Sequence, residues 1–189
     1  LVYALMASSA MAADRQQVAV ASHCEPTEQV IFSCRIGPKI ASLCATRRLT
    51  PAEGHVQYRY GPPRSVEITA PGRTPSDRAR IQVVRSPPST ANAIAVSVES
   101  GGFVYHIYSS ESVGSVNDGS RSWVYDSGVE VHKGQTTVFS KHCTGQLDDA
   151  RFVASFFLDA GFEVETSARA WDFGSRDMDR ARDAKGTKR

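Results

Sequence analysis

Between Val30 and His142 the chain alternates apolar and polar residues in short runs, each closed by turn residues. VIFSCRI and KIASLCA face each other across Gly37-Pro38, and HVQYRY sets Val56, Tyr58 and Tyr60 against Gln57 and Arg59. SVEITA alternates Val66 and Ile68 with Glu67 and Thr69. ARIQVVR, AIAVSV and FVYHIYS follow, then SWVYDSG, VEVH and TTVFSKH. A period of two marks half-buried strands. Gly61-Pro62-Pro63, Gly101-Gly102 and Asp118-Gly119 supply turns, and Lys133-Gly134 is the best hairpin candidate. About nine strands at this spacing predict a mainly β fold, an antiparallel sandwich or barrel.

The period changes after Cys143. Leu147, Ala150, Val153, Ala154, Phe157 and Leu158 share one face at helical spacing, with Asp148 and Asp149 in the first turn and Gly161 at the stop. One helix on the sheets or across their mouth is predicted. From Glu163 to Arg189 acids and bases mix with almost nothing to bury, which predicts a disordered polar tail. At the other end, LVYALMASSAMAAD passes from apolar to small residues and offers Ala10-Met11-Ala12 as a signal-peptidase site. Residues 1–13 are therefore expected to be part of a secretory signal, and 14–162 a single β-rich domain. That apolar stretch is too short to span a bilayer, and no later segment is long enough either.

Charge narrows the range of partners. With 22 basic and 20 acidic residues the net charge is +2. Nothing in that balance favours nucleic acid, whose binders concentrate basic charge on one surface. The four cysteines, Cys24, Cys34, Cys44 and Cys143, are an even number, as expected for two disulfides in an oxidising compartment. They lack a CxxC pair, so no zinc site is expected. In a hairpin with a two-residue loop at Gly37-Pro38, Cys34 would face Ala41 and Cys44 would face Ile31, on opposite sides; a three-residue loop would set both on one face but diagonal. Either way a Cys34–Cys44 bridge is disfavoured. Cys143 is expected to join Cys34 or Cys44, and Cys24 the other.

Candidate chemistry is sparse. QYRYGPPR reads mainly as a strand running into a turn, with Tyr58 and Tyr60 on the core side and Arg59 and Arg64 left for solvent. The competing reading makes the same four residues a partner-binding patch. Among the five histidines, His106 shares a face with Val104 and Tyr108, and His132 shares one with Glu130, a carboxylate able to orient it. His106 and His132 are thus the other two binding candidates, and the histidines around which a hydrolase alternative is built. His23-Cys24 and His142-Cys143 repeat a dipeptide; a Cys24–Cys143 bridge would bring two imidazoles together as a weak transition-metal pair. There is no GxSxG, no HExxH, no GxxxxGK[ST] and no dinucleotide fingerprint. No catalytic residue, metal or cofactor is predicted.

The succession FSC, KIASLC, QYRYG, SVEI, a Gly-Gly before FVYHIYS, SGVEVHKG and a cysteine followed by a short helix resembles a group of small exported bacterial proteins. Their middle motif commonly runs Tyr-Arg-Phe-Gly, where this chain has Tyr60. The resemblance spans about Cys24 to Phe162, and nothing beyond Trp171 takes part in it. It implies a Gram-negative envelope, hence a periplasmic or secreted location, and carries no catalytic residue, since the group has no settled activity. The expected function is a non-enzymatic binding protein for a protein or envelope component, inhibitor-like or immunity-like. The alternatives are a hydrolase using a histidine at the mouth of the sheets and a small-ligand carrier.

Overall fold

The computed structural model describes residues 21–87, 92–115, 121–144 and 154–171. Two sheets are built from ten strands. The first is antiparallel, in the order β1 (Glu28–Ile36), β2 (Lys39–Thr46), β3 (Val56–Gly61), β4 (Ile68–Ala70). The second contains β5 (Ile81–Arg85), β6 (Asn92–Ser100), β7 (Phe103–Ser115), β8 (Arg121–Lys133), β9 (Thr136–His142) and β10 (Val164–Thr166), ordered β10-β5-β6-β7-β8-β9. The two-residue turn at Gly37-Pro38 forms as the alternation predicts: Ile36 pairs with Lys39, Cys34 with Ala41, and Gly37 takes the left-handed φ of 59°. A bulge at Ile31 sets Cys44 opposite Val30 rather than Ile31.

The inner faces meet in one core. Phe32, Leu43 and Tyr58 come from the first sheet, and Val83, Val96, Ile107 and Val129 from the second. The Tyr58 ring lies 5.3 Å from Tyr105, and Tyr60 meets Phe139 edge-on at 5.9 Å, so aromatic pairs span the interface. Each fully buried aliphatic or phenyl side chain of this core, such as Phe32, Leu43 or Ile107, contributes about 1.5–3 kcal/mol. The helix α1 (Ala154–Asp159) adds Phe157, which stacks edge-on with Phe162 at 5.8 Å. Cys34–Cys143 ties β1 to the end of β9 across the two sheets, and Thr144 donates to the Arg35 carbonyl beside it. Cys24–Cys44 is the second bridge. The architecture is a sandwich and not a closed barrel.

Several expectations change. SWVYDSG and VEVH form one strand, β8, because Gly128 lies opposite Tyr108 and leaves the space that the tyrosine hydroxyl fills. The β8–β9 turn is Gly134-Gln135, one residue later than Lys133-Gly134. SVEITA pairs only over the three residues of β4. Of the helix expected over 147–161, residues 147–153 lie outside the described residues, and Leu158, expected on the buried face, is exposed. The predicted tail begins too early: Val164–Thr166 is β10, parallel to β5, and Ala168–Trp171 is a 3-10 turn whose Ala170 packs on Val84 and Ala93. The signal expected over 1–13, and 172–189 of the tail, lie outside the described residues. No described helix is long and apolar enough to cross a membrane.

Candidate functional site

Among the described residues, three surfaces concentrate chemistry or exposed apolar area. The first is the outer face of the four-stranded sheet. Residues 21–27 run over it as a strap pinned by Cys24–Cys44, with the His23 backbone N–H donating to Ser42 Oγ at 3.0 Å. Beneath it, Arg59 and Glu28 form a bidentate ion pair of 2.6 and 2.7 Å, both side chains at most 5% exposed. Arg59 also donates to the His23 carbonyl and to Gln57 Oε1, each at 2.8 Å. His55 Nε2 contacts the same carboxylate at 2.8 Å, and Gln57 donates to the Pro71 carbonyl. Burial pushes the Glu28 carboxyl up, but the bonds from Arg59, the Glu25 backbone N–H and His55 outweigh it and hold the group at about 2.

The second surface is the outer face of the six-stranded sheet. Ser97, His106 and Glu130 stand opposite one another on β6, β7 and β8. Ser97 Oγ lies 2.7 Å from His106 Nδ1, and the His106 ring meets His132 edge-on at 4.7 Å. His132 Nε2 is 2.5 Å from the buried Glu130 carboxylate, and Thr137 reaches both. Further along, His142 Nδ1 contacts Asp126 at 2.8 Å and the Tyr108 hydroxyl at 3.1 Å. Burial, and then the neighbouring His132, pushes His106 down to about 4 against the pull of Glu130, so its imidazole is neutral at pH 7.

The shifts of these two groups make stability fall in acid. His106 has a folded value of about 4 against 6.5, so the unfolded chain takes its proton first, and stability falls as pH drops from 6.5 through 4. Glu28, at about 2 against 4.5, contributes stability that is full above 4.5 and is lost between 4.5 and 2. Each amounts to roughly 3 kcal/mol. Urea midpoints are expected to fall between pH 6.5 and 4.5 in the wild type and to stay nearly level there in His106→Gln. An unchanged slope in that variant would locate the titration elsewhere.

The third surface is an arm. Described pairing on the β6 side of β7 stops at Glu111, and on the β9 side of β8 it stops at Gly128. Beyond those points Ser112–Ser115 and Arg121–Val124 pair only with each other among the described residues. Val113 lies directly opposite Trp123, and they are 40% and 51% exposed. Val124, on the reverse face by alternation, is 43% exposed. The ribbon thus presents apolar side chains on both faces.

No family model, curated protein or solved structure matches the chain. Function has to be read from these three surfaces.

The candidates named from sequence separate clearly. Tyr58 and Tyr60 face the core, and burial, then its tyrosine neighbours, raises the Tyr58 hydroxyl far above its ordinary value. Arg59, expected in solvent, is 4% exposed, because the strap covers the face that alternation made outward. Arg64 stays in solvent, at a left-handed φ of 69° in the turn. His106 and His132 do meet, and β7–β8 register brings them together. Cys24 pairs with Cys44, so His23 and His142 are not brought together: His23 contacts the Gly61 carbonyl instead. The one cluster of metal-type ligands among the described residues, Cys24, Glu28 and Cys44, contains that disulfide and offers no thiolate. Sequence reading missed Trp123. Its signal was an aromatic in a strand whose described neighbours stop short of it, which only pairing register reveals.

Proposed function

We propose that this chain is a non-enzymatic interaction protein that works outside the cytoplasm and grips a protein or envelope component with the β7–β8 arm. The carrying observation is the exposed Val113–Trp123 pair on a ribbon without lateral described neighbours. Tryptophan is among the residues that most often dominate binding energy, and a paired ribbon presents it with little ordering cost. Apolar residues on both faces fit a cleft that closes around the arm better than a flat surface touching one side of it. The two disulfides suit an oxidising location.

The hydrolase reading draws on the Ser97–His106 contact, but Ser97 sits on a central strand of the sheet. Its neighbouring backbone N–H groups serve the ladders to β5 and β7, which leaves them unable to stabilise an oxyanion. The carrier reading needs an internal cavity, where the space between the sheets holds Phe32, Tyr58, Ile107 and Phe157.

Immobilised full-length protein is expected to capture a partner from envelope extract of its source organism. Trp123→Ala combined with Val113→Ser should lower recovery at least tenfold, in line with loss of a tryptophan hot spot of about 2 kcal/mol or more. The melting temperature should stay within about 2 °C, as usual for surface changes. Equal recovery by the variant, or none above background by the wild type, would refute the reading.

A further inference from the structure

We infer that the groove between the strap and β4 is a binding site for the C-terminal carboxylate of a peptide, with Glu25 standing in the ligand's place. The groove measures about 370 Å³, within the range of small-molecule sites, and no residue of the arm lines it. Its inner wall is fixed. Arg59 is committed to Glu28, and Gln57 is held by its bond to Pro71. Gln57 Oε1 in turn accepts from Arg73 Nε at 2.9 Å, which orients that guanidinium from behind and leaves Nη1 and Nη2 to meet carboxylates.

The fork of Arg73 grips a carboxylate already. Glu25 takes a close bond from Nη2, while Nη1 stands 3.5 Å from its second oxygen, so one tooth of the fork is poorly used. The pair is nearly half exposed on both sides, with side chains at 45% and 48%. Exposed pairs of this kind are weak, so an incoming carboxylate can displace Glu25 at small cost. Of the two arginines lining the groove, Arg59 is buried against Glu28, while Arg73 is 45% exposed and meets Glu25, with Glu28 Oε1 also 3.6 Å from its Nη2. Thr69 offers an exposed hydroxyl on β4, and Val66, 44% exposed, offers an apolar contact beside it. β4 is the edge strand of its sheet, where an extended peptide can lie. A terminal carboxylate with a small apolar side chain matches this set: the carboxylate on Arg73 and Thr69, the side chain on Val66.

The test uses the full chain and three probes: an acetylated Gly-Val dipeptide acid, its C-terminal amide, and propionate. Binding is followed by isothermal titration and by amide chemical shifts. The dipeptide acid is expected to bind Glu25→Gln two- to fivefold more tightly than the wild type, because the competing carboxylate is gone. Arg73→Ala should bind it at least tenfold more weakly, and Arg73→Lys should fall between, since lysine keeps the charge and loses the fork. Melting temperatures near wild type confirm that each variant is folded. Binding of the amide as tight as that of the acid would overturn the inference, as would Glu25→Gln binding no tighter than wild type. Propionate binding as well as the dipeptide would overturn the peptide assignment. Because neither Trp123 nor Val113 is altered, the outcome is independent of the arm.

Discussion

Arg59→Leu is expected to destabilise the protein by about 3–5 kcal/mol at pH 7, the usual cost of breaking a buried ion pair from one side. The substitution leaves Glu28, whose side chain is 2% exposed, without its bidentate partner. It also cuts the tie from Arg59 to the strap at the His23 carbonyl. In a chain of this size the loss corresponds to a fall in melting temperature of roughly 6–20 °C. Two further readouts distinguish an abandoned charge from lost packing. Adding Glu28→Gln to Arg59→Leu should recover a large part of the loss, so that the double-mutant cycle shows coupling. The penalty should also shrink in acid, where Glu28 in the variant can take a proton. A loss that is equal at pH 7 and pH 4, with no recovery in the double variant, would mean that Arg59 contributes mainly its hydrocarbon stem.

Removing Cys34–Cys143 is expected to cost about 5 kcal/mol in the chain-entropy model, because the bridge closes a separation of 109 residues. Removing Cys24–Cys44, with a separation of 20, should cost nearer 3 kcal/mol by the same measure. The two losses should differ in kind as well as size. Cys34→Ala with Cys143→Ala loosens the seam between the sheets, where β1 and the end of β9 meet. Cys24→Ala with Cys44→Ala frees the strap over Arg59 and should raise hydrogen exchange first in residues 21–27 and at Arg59. Urea unfolding of both pairs against wild type checks the order. A smaller loss for the long-range pair would show that its unfolded state keeps the two sulfurs close.

The legibility of the chain follows from what periodicity encodes. Alternation located the strands because each has one face in a shared core, as in FVYHIYS, where Tyr105 and Ile107 alternate with His106 and Tyr108. It marked the disulfide alternatives too, because a two-residue turn fixes which side Cys34 and Cys44 face. Alternation says which residues leave the core, and not whether something else covers them. Arg59 is the clearest case: it points out of the sandwich, as its position requires, and the strap of residues 21–27, pinned by Cys24–Cys44, buries it. Nor does alternation report how far a neighbouring strand pairs. That is why Trp123 reads as one more strand aromatic until register shows the ribbon running past the described pairing of β6 and β9. β10 was missed for a third reason, since three residues are too few to show a period.

The central claim is that the arm is the surface that meets a partner. It is tested most directly by placing a photo-crosslinking amino acid at position 123 in cells of the source organism, with the same residue at exposed Thr136 on β9 as the control. The account predicts a discrete cross-linked species from position 123 that the control lacks. Cross-linking equal at the two positions, or absent from position 123, would contradict it.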